Sequence, residues 1–373
     1  MKILTITCHN VYNHGASLQE FALLDYLSSI GHDAKTINYQ PNYLAESYTY
    51  TGVPNKKFKK NFILQILYIL AKFPQRFADR KRRKSFHEFH DNYIKATSKK
   101  YNNNKELKLD LPVADIYICG SDQIWNTVFE NGKDPAFYLD FVPENKTKIS
   151  YAASFATDMV PKELTAFLKS SLSRLQAISV RESSGVKILN ELGLNNVSHV
   201  VDPVFLLSRD KWEAKFIAQN EYKPFVFVYD FDNNPLIKKY ALYLKEKKGL
   251  QIYALSKRIK YADKTFWSIG PDKFLELIYH SSFVLANSFH ATAFSCIFEK
   301  EFLIFNRNTS INTRMRDFLQ EIGLSNRLVD TFDENLVESK ITFSEVGKIV
   351  NNKIAYSKAF LKESIDNETM VNK

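Results

Sequence analysis

Short apolar runs of strand length alternate with helix-period segments along nearly the whole chain, and this alternation leaves few folds open. Residues 2–8 read as a strand and 9–17 as a polar loop. Residues 18–30 carry Leu18, Phe21, Ala22, Leu24 and Leu27 on one helical stripe. Gly31-His32 ends that helix before a second strand at 34–39. A strand–loop–helix–strand unit places its two strands parallel, so the first sheet is expected to be parallel. Further strands are read at 115–119, 148–153, 177–180 and 197–201, with a short helix at 186–192. The pattern restarts near residues 205–222. Strands at 225–229, 251–254, 283–286 and 303–305 then alternate with helices at 236–247, 272–280 and 313–322, and one or two lysine-rich helices fill 344–367. A chain of 373 residues has the length for two domains. The expectation is an α/β protein of two doubly wound domains facing each other across a cleft. They span 1–205 and 222–335, and helices within 336–373 cross back to the first domain.

Charge and cysteine usage narrow the partners. The formal charge of +10 suits an anionic small molecule, an anionic membrane surface or nucleic acid, and does not choose among them. The three cysteines, Cys8, Cys119 and Cys296, are too few and too scattered for a disulfide framework or a zinc site, and each lies in or beside an apolar segment. The N-terminus is already a strand, and no run reaches the ~18–20 apolar residues needed to span a bilayer, so the expected location is the cytoplasm. Residues 56–84 differ from the rest: eleven lysines and arginines against one acidic residue, Asp79, surround FILQILYILAKF at 62–73. A basic helix with an apolar body either lies in a membrane interface or packs on the protein with a solvated charged end. The sequence leaves both open.

Residues 281–298, SSFVLANSFHATAFSCIF, hold the strongest local signal. An apolar strand runs at once into Asn287 and Ser288, both good N-cap residues, and then into a helix of small and apolar residues. The N–H groups and positive dipole end of such a helix make a ready anion site. His290 stands in the first turn, where it could bind an anion or move a proton, or simply be a satisfied core histidine. Three other loops lie at the carboxyl ends of strands, where ligands sit in open α/β sheets: 9–19, 120–126 and Arg181-Glu182. Together these loops and the nearby Arg314 and Arg316 offer cations (Arg181, Arg314, His290), the carboxylate of Asp122 and the aromatic plate of Trp125. The set suits a phosphorylated, carboxylated small molecule beside a sugar. No metal is expected, because no histidine or carboxylate cluster shows ligand spacing in sequence. Trp125 as a core residue and Arg181-Glu182 as a surface ion pair are the bland alternatives.

These segments carry a resemblance. NVYNHGASLQEFAL near the N-terminus, GSDQIWN at 120–126, SYAASFA, SVRESSGVKIL, VVDPVFLL, GPDKFLELIYHSSFVLANSFHATAFSCIF and NTRMRDFL follow one another in order from residue 1 to about 328. The sequence is identified by them as a member of the polysaccharide pyruvyl transferase family. The resemblance implies two Rossmann-like domains of the GT-B type, the first on the acceptor side and the second on the donor side. It implies transfer of pyruvate from phosphoenolpyruvate, as co-substrate with no further cofactor, onto two hydroxyls of a capsular, exopolysaccharide or other cell-surface sugar.

His290 matches the family's donor-site histidine and Arg181 its arginine after the central strand. Members of the family carry arginine two residues before that histidine; here the position is Ser288, and Arg314 or Arg316 is expected to supply the missing charge. The donor site is then expected to contain Arg181, Ser288, Phe289, His290, Arg314 and Arg316. His290 and Asp122 are the catalytic candidates, as acid and base. Asn13, Gly15, Ser121, Asp122 and Trp125 are the acceptor-side candidates. The acceptor is a sugar, lipid-linked in one version, with peripheral contact of 56–84 at the inner face of the cell membrane and no nucleic acid. Two alternatives stand beside this: a GT-B glycosyltransferase using a nucleotide sugar, with Asp317 or Glu321 for the ribose, and a non-catalytic scaffold of polysaccharide assembly.

Overall fold

The computed structural model describes residues 1–45, 49–53, 56–257, 259–309 and 311–371. Residues 372–373 of the expected C-terminal segment lie outside the described residues. The central strands form where apolar runs are buried on both faces. β1 (Lys2–Ile6), β2 (Asp33–Thr36), β3 (Ile116–Cys119) and β4 (Thr147–Ser150) make a parallel sheet in the order β2-β1-β3-β4. β5 (Ile178–Val180) and β6 (Val197–His199) pair in parallel with each other. Isolated bridges Ile149–Ala177 and Ala153–Val180 join them to the free side of β4. On the other edge Thr36–Ala96 and Tyr39–Tyr101 add a further parallel segment beside β2.

The second sheet contains β7 (Phe225–Tyr229), β8 (Gln251–Ala254), β9 (Lys264–Thr265), β10 (Phe283–Ala286), β11 (Phe302–Phe305) and β12 (Leu328–Val329). Its order is β12-β11-β10-β7-β8-β9, all parallel. Counted from β7, this is the doubly wound order, with the chain reversing direction across the sheet between β7 and β10. The first sheet has the same order once the segment after β2 is counted, and it reverses between β1 and β3. Ligands in such sheets sit outside the carboxyl ends of the strands at the reversal point. The relevant residues are therefore those following Ile6, Cys119, Tyr229 and Ala286.

Several elements differ from the sequence reading. The first helix spans His14–Ser29, capped by Asn13, whose side chain accepts from Ala16 N. The sequence reads its first turn as loop because His14, Gly15 and Ser17 are not helix formers; here they are buried, His14 against Tyr229 and Phe274, Gly15 against the His290 ring and Ser17 against His90. Helix Arg209–Phe216 was not foreseen; Ser208 caps it, and Trp212 is fully buried with its Nε1 donating to Val204 O at 3.0 Å. The C-terminal residues form one helix, Phe343–Val371. It returns to the first sheet: Ser357 Oγ accepts from Val201 N at 2.9 Å, and Phe360 meets Tyr151 with ring centroids 6.5 Å apart. One hydrophobic core contains Ile3, Leu18 and Ile149 of the first half together with Phe227, Phe274 and Ile304 of the second. The halves are thus joined by shared burial as well as by chain.

Leu361 is fully buried in this core on the returning helix. Leu361→Ala is expected to lower the unfolding free energy by about 2–5 kcal/mol, the range for a buried leucine truncation. Urea denaturation measures it; a loss within error of zero would show that the returning helix is not part of the cooperative unit.

Candidate functional site

The site begins at the carboxyl ends of two neighbouring parallel strands, β7 and β10. After β10, Asn287 is fully buried, donating from Nδ2 to Asp230 Oδ1 at 3.0 Å and accepting from Phe231 N at 3.0 Å. This pairing ties the loop after β10 to the loop after β7. Ser288 then caps helix Phe289–Ile297, accepting from Ala291 N, and leaves the preceding amides of the first turn for a ligand. His290 lies in that turn. Its ring lies against Gly15 at the start of the first helix, where an added Cβ would stand 2.0 Å from His290 Nδ1. Its Nε2 is buried without a hydrogen-bond partner and faces Asp202 Oδ2 at 3.6 Å.

Behind His290 lies a buried charge cluster. The Arg181 guanidinium bonds Asp202, bonds Asp122 at 3.1 Å and lies 3.8 Å from Glu182, with its side chain wholly buried. Its Cζ sits 4.9 Å from the centre of the Phe289 ring. Burial alone would raise the Asp202 carboxyl, but Arg181 and then His290 hold it down at about 2. Asp122 is likewise held below the usual carboxylate range: burial opposes its charge, and Arg181 and Arg314 overcome that. Glu182 accepts from Ser154 Oγ and Ala156 N, and burial raises it in spite of Arg181. Arg314 approaches Asp122 at 3.7 Å, its Nε is buried without a partner, and burial with the repulsion of Arg181 lowers it to about 10. It therefore stays charged near neutral pH.

A cavity opens in front of this cluster, lined by Asn13, Asp122, Ser288, Phe289, His290, Arg307 and Arg314. Arg307 follows β11 and stacks over Phe231, with Cζ 4.5 Å from the ring centre. A second cavity adjoins the first, sharing Asn13 and Phe231, and is walled by Tyr12, Arg82, Tyr229 and Trp267. The geometry thus joins an imidazole, two arginines and a helix start around one small cationic space, with an aromatic-walled space beside it.

Of the residues expected from sequence, Asn13, Ser288, Phe289, His290, Arg314 and Asp122 meet at the first cavity. Others require correction. Trp125 is fully buried, its Nε1 donates to Phe137 O at 3.1 Å and its ring stacks on Tyr138, so it has no face for a sugar. Ser121 is also core: its Oγ donates to Ala152 O at 2.6 Å. Gly15 serves His290 by close approach rather than touching an acceptor. Arg181 is buried among three carboxylates behind the cavity lining, so it positions Asp122 and Asp202 instead of gripping a ligand. Asp122, paired with two guanidiniums, is a poor proton acceptor. Arg316 turns away and makes a two-pronged pair with Asp158. Asp317, offered for a ribose, accepts from Ser184 N at 2.8 Å, and Glu321 pairs with Lys353, so both are engaged.

Sequence reasoning missed Asp202 as a site residue and Arg307 altogether, although each follows a strand end. It also missed a cluster assembled across distance: His9, Glu20 and His90 are buried, with potential ligand atoms all within 4.8 Å of one another. His9 Nδ1 lies 2.7 Å from Glu20 Oε1, while Glu20 Oε2 and His90 Nδ1 have no partner. Residues 9, 20 and 90 converge only through the fold, so spacing could not reveal them.

Comparison with known proteins agrees with the architecture. A family model described as polysaccharide pyruvyl transferase matches residues 13–309. No curated protein matches the chain. Among solved structures, UDP-N-acetylglucosamine 2-epimerase from Rickettsia bellii is similar at a TM-score of 0.54 and 9% identity, over 100% of this chain and 98% of that one. The S. aureus MnaA–UDP co-structure is similar at a TM-score of 0.54 and 12% identity, over 100% of this chain and 98% of that one. At these identities the likeness concerns the fold alone, and it bears out the GT-B-like expectation.

Two predictions follow from the site. Gly15→Ala forces a methyl group into the His290 ring and is expected to cost about 1–3 kcal/mol as an overpacked core change, together with loss of ligand response. Melting curves with and without ligand check it; an unchanged melting point and ligand shift would mean the ring has room to move. The second concerns acid. Burial lowers His90 to about 4 and holds His14 well below its ordinary value. Between roughly pH 6.5 and 4 the unfolded chain takes up protons at these sites that the folded chain refuses, so stability falls as pH falls through that window. Melting temperatures over a pH series are expected to decline below about pH 6.5, with a shallower slope for His90→Gln. Parallel slopes for the two proteins would remove His90 from the account.

Proposed function

The chain belongs to the polysaccharide pyruvyl transferase family, and from that premise we propose that it moves pyruvate from phosphoenolpyruvate onto a capsular, exopolysaccharide or other cell-surface sugar. The observation that carries this reading is the convergence of Arg307, Arg314 and the helix start at Ser288 on the space beside His290. A small ligand bearing both carboxylate and phosphate matches two guanidiniums and a helix N-terminus. Arg307 takes the role that the sequence suggested for Arg181, and of the two arginines offered for the missing charge, Arg314 and Arg316, Arg314 lines the cavity. Arg307 and Arg314 also supply the positive charge where Ser288 stands in place of the relatives' arginine.

In this reading carbon 3 of phosphoenolpyruvate receives a proton, which makes carbon 2 electrophilic. A sugar hydroxyl oxygen bonds to carbon 2 and loses its proton. The bond from carbon 2 to the phosphate oxygen then breaks, phosphate leaves, and the second hydroxyl closes the cyclic ketal. We assign proton transfer to His290. Its Nε2 is turned to Asp202, whose charge orients the ring, its Nδ1 packs against Gly15, and the residue lines the cavity. Such a group contributes about 10²- to 10⁴-fold, and holding two substrates together contributes further. The sequence is redox-neutral and asks for no cofactor. The acceptor sugar belongs in the adjoining cavity, between Asn13 and the rings of Tyr12, Tyr229 and Trp267. The reaction belongs in the cytoplasm, at the inner face of the membrane where the acceptor is lipid-linked. Engagement of Asp317 and Glu321 by other partners speaks against the nucleotide-sugar alternative.

The expected outcome is a raised melting point with phosphoenolpyruvate and none with nucleotide sugars. Binding at a hundredfold excess over Kd stabilises by about 2.7 kcal/mol. His290→Ala is expected to abolish transfer with the fold intact. Arg314→Lys keeps the charge but loses the fork, and is expected to lower kcat/KM for the donor by roughly ten- to a hundredfold, the worth of a charge-assisted hydrogen bond. A shift with a nucleotide sugar alone would overturn the donor assignment. No shift and no transfer with any donor would favour the scaffold.

A further inference from the structure

Helix Phe62–Ala78 is amphipathic, and it presents its apolar face to solvent. Phe62, Ile63, Ile66, Leu67, Leu70, Phe73 and Phe77 fall within an arc of roughly 140° at 100° per residue. They are 74%, 66%, 41%, 56%, 63%, 48% and 49% exposed, respectively. The opposite side holds the helix to the body: Arg76, the helix's buried residue, donates to Tyr50 O at 2.8 Å and Gly52 O at 2.5 Å. Tyr68 on that side meets Phe58, ring centroids 5.1 Å apart. An ordinary surface helix shows the reverse arrangement. A contiguous exposed face of this kind marks a site that another apolar phase covers.

We propose that this face docks on the surface of an anionic lipid bilayer, with the helix lying in the plane of the interface. Charge selects lipid over a second copy of the chain. Lys57, Lys59, Lys60 and Lys72 lie before or within the helix and Arg80, Lys81, Arg83 and Lys84 follow it, while Asp79 is already paired with Lys257 and with Trp267 Nε1. A two-fold self-interface would set these like charges against themselves; an anionic leaflet complements them. Length fixes the mode of contact. Seventeen residues span about 26 Å at 1.5 Å each, short of the ~30 Å hydrocarbon core, and Lys72 interrupts them. Among the described residues no helix is long and apolar enough to cross a membrane. The helix lies on the bilayer and does not span it.

The position of the helix gives docking a consequence. Gln75 of this helix also lines the aromatic-walled cavity, together with Arg82 and Trp267. Arg82 in turn donates to Tyr12 O and Trp267 O, each at 2.9 Å, fixing the helix pair to the rim of the cleft. Docking therefore brings the acceptor cavity to the lipid surface, where a sugar carried on a lipid would present itself.

The test uses the full-length protein with vesicles of phosphatidylcholine alone or with phosphatidylglycerol, sedimented at low and high salt without donor or acceptor, so that its outcome is independent of the proposed reaction. Binding to the anionic vesicles is expected, weakened by salt. Ile63→Glu/Leu67→Glu/Leu70→Glu is expected to reduce partitioning at least tenfold with an unchanged melting temperature, because these side chains touch solvent. Equal binding to both vesicle types, no binding at either salt, or undiminished binding of the triple variant would each overturn the proposal. So would a wild-type dimer, unresponsive to vesicles, that the triple variant converts to monomer: the face would then be a self-interface.

Discussion

Arg181 is the interaction on which the cleft depends. Its guanidinium is removed from water and is tolerable there only because Asp122, Glu182 and Asp202 surround it. Those partners come from the ends of three different strands, β3, β5 and β6. The edge of the first sheet must therefore be continuous for the charge to be met. The second half closes the arrangement from the other side, with the Phe289 ring under the guanidinium, Arg314 on Asp122 and His290 on Asp202. A buried ion cluster adds little net stability over an apolar core of the same shape, but losing one partner leaves uncompensated charge. What it fixes is geometry: His290 has an oriented carboxylate behind it and a glycine against its ring.

The fold was largely legible because its strands are buried on both faces. Phe225–Tyr229 and Phe283–Ala286 stand out as uninterrupted apolar runs and Gln251–Ala254 as a short one behind a polar first residue, and the structure has them at those bounds. The strands least visible in sequence, Lys264–Thr265 and Leu328–Val329, lie at the sheet edges, where short pairing demands little apolar patterning. The first helix was read four residues short because its opening turn is polar. That turn is buried against the opposite half, a tertiary demand that local propensity cannot express.

The site was legible in one respect and opaque in another. His290 could be found because strand, cap and helix start are adjacent in sequence, and the anion-binding physics is local. Trp125, Ser121 and Arg181 were misread for a common reason. Each stands at the carboxyl end of a strand, but sequence position gives the place of a Cα, not the direction of its side chain or the partners waiting for it. Arg181 and Arg314 look equivalent as letters. One is enclosed by three carboxylates, while the other meets a single carboxylate at 3.7 Å and lines the cavity wall. Asp202 and the His9–Glu20–His90 cluster depend on contacts between remote segments, which no spacing rule reaches.

The exposed helix follows from the same principle of compensation. Its apolar face is largely exposed, with Tyr50 against Phe73 at its edge, yet its polar face is anchored by Arg76 to two backbone carbonyls and continues into a second helix, Arg80–Tyr93, that packs Phe86 and Phe89 into the body. A helix held so firmly on its polar side has its apolar side committed outward. The order of elements carries this into function. The helix joins the second cavity through Gln75, the second cavity joins the first through Asn13 and Phe231, and the first ends at His290 and the buried arginine. A line thus runs from the apolar exterior through an aromatic-walled space to a cationic one. Under the proposed function each zone would meet one part of a substrate pair: lipid, sugar, and then the anionic donor.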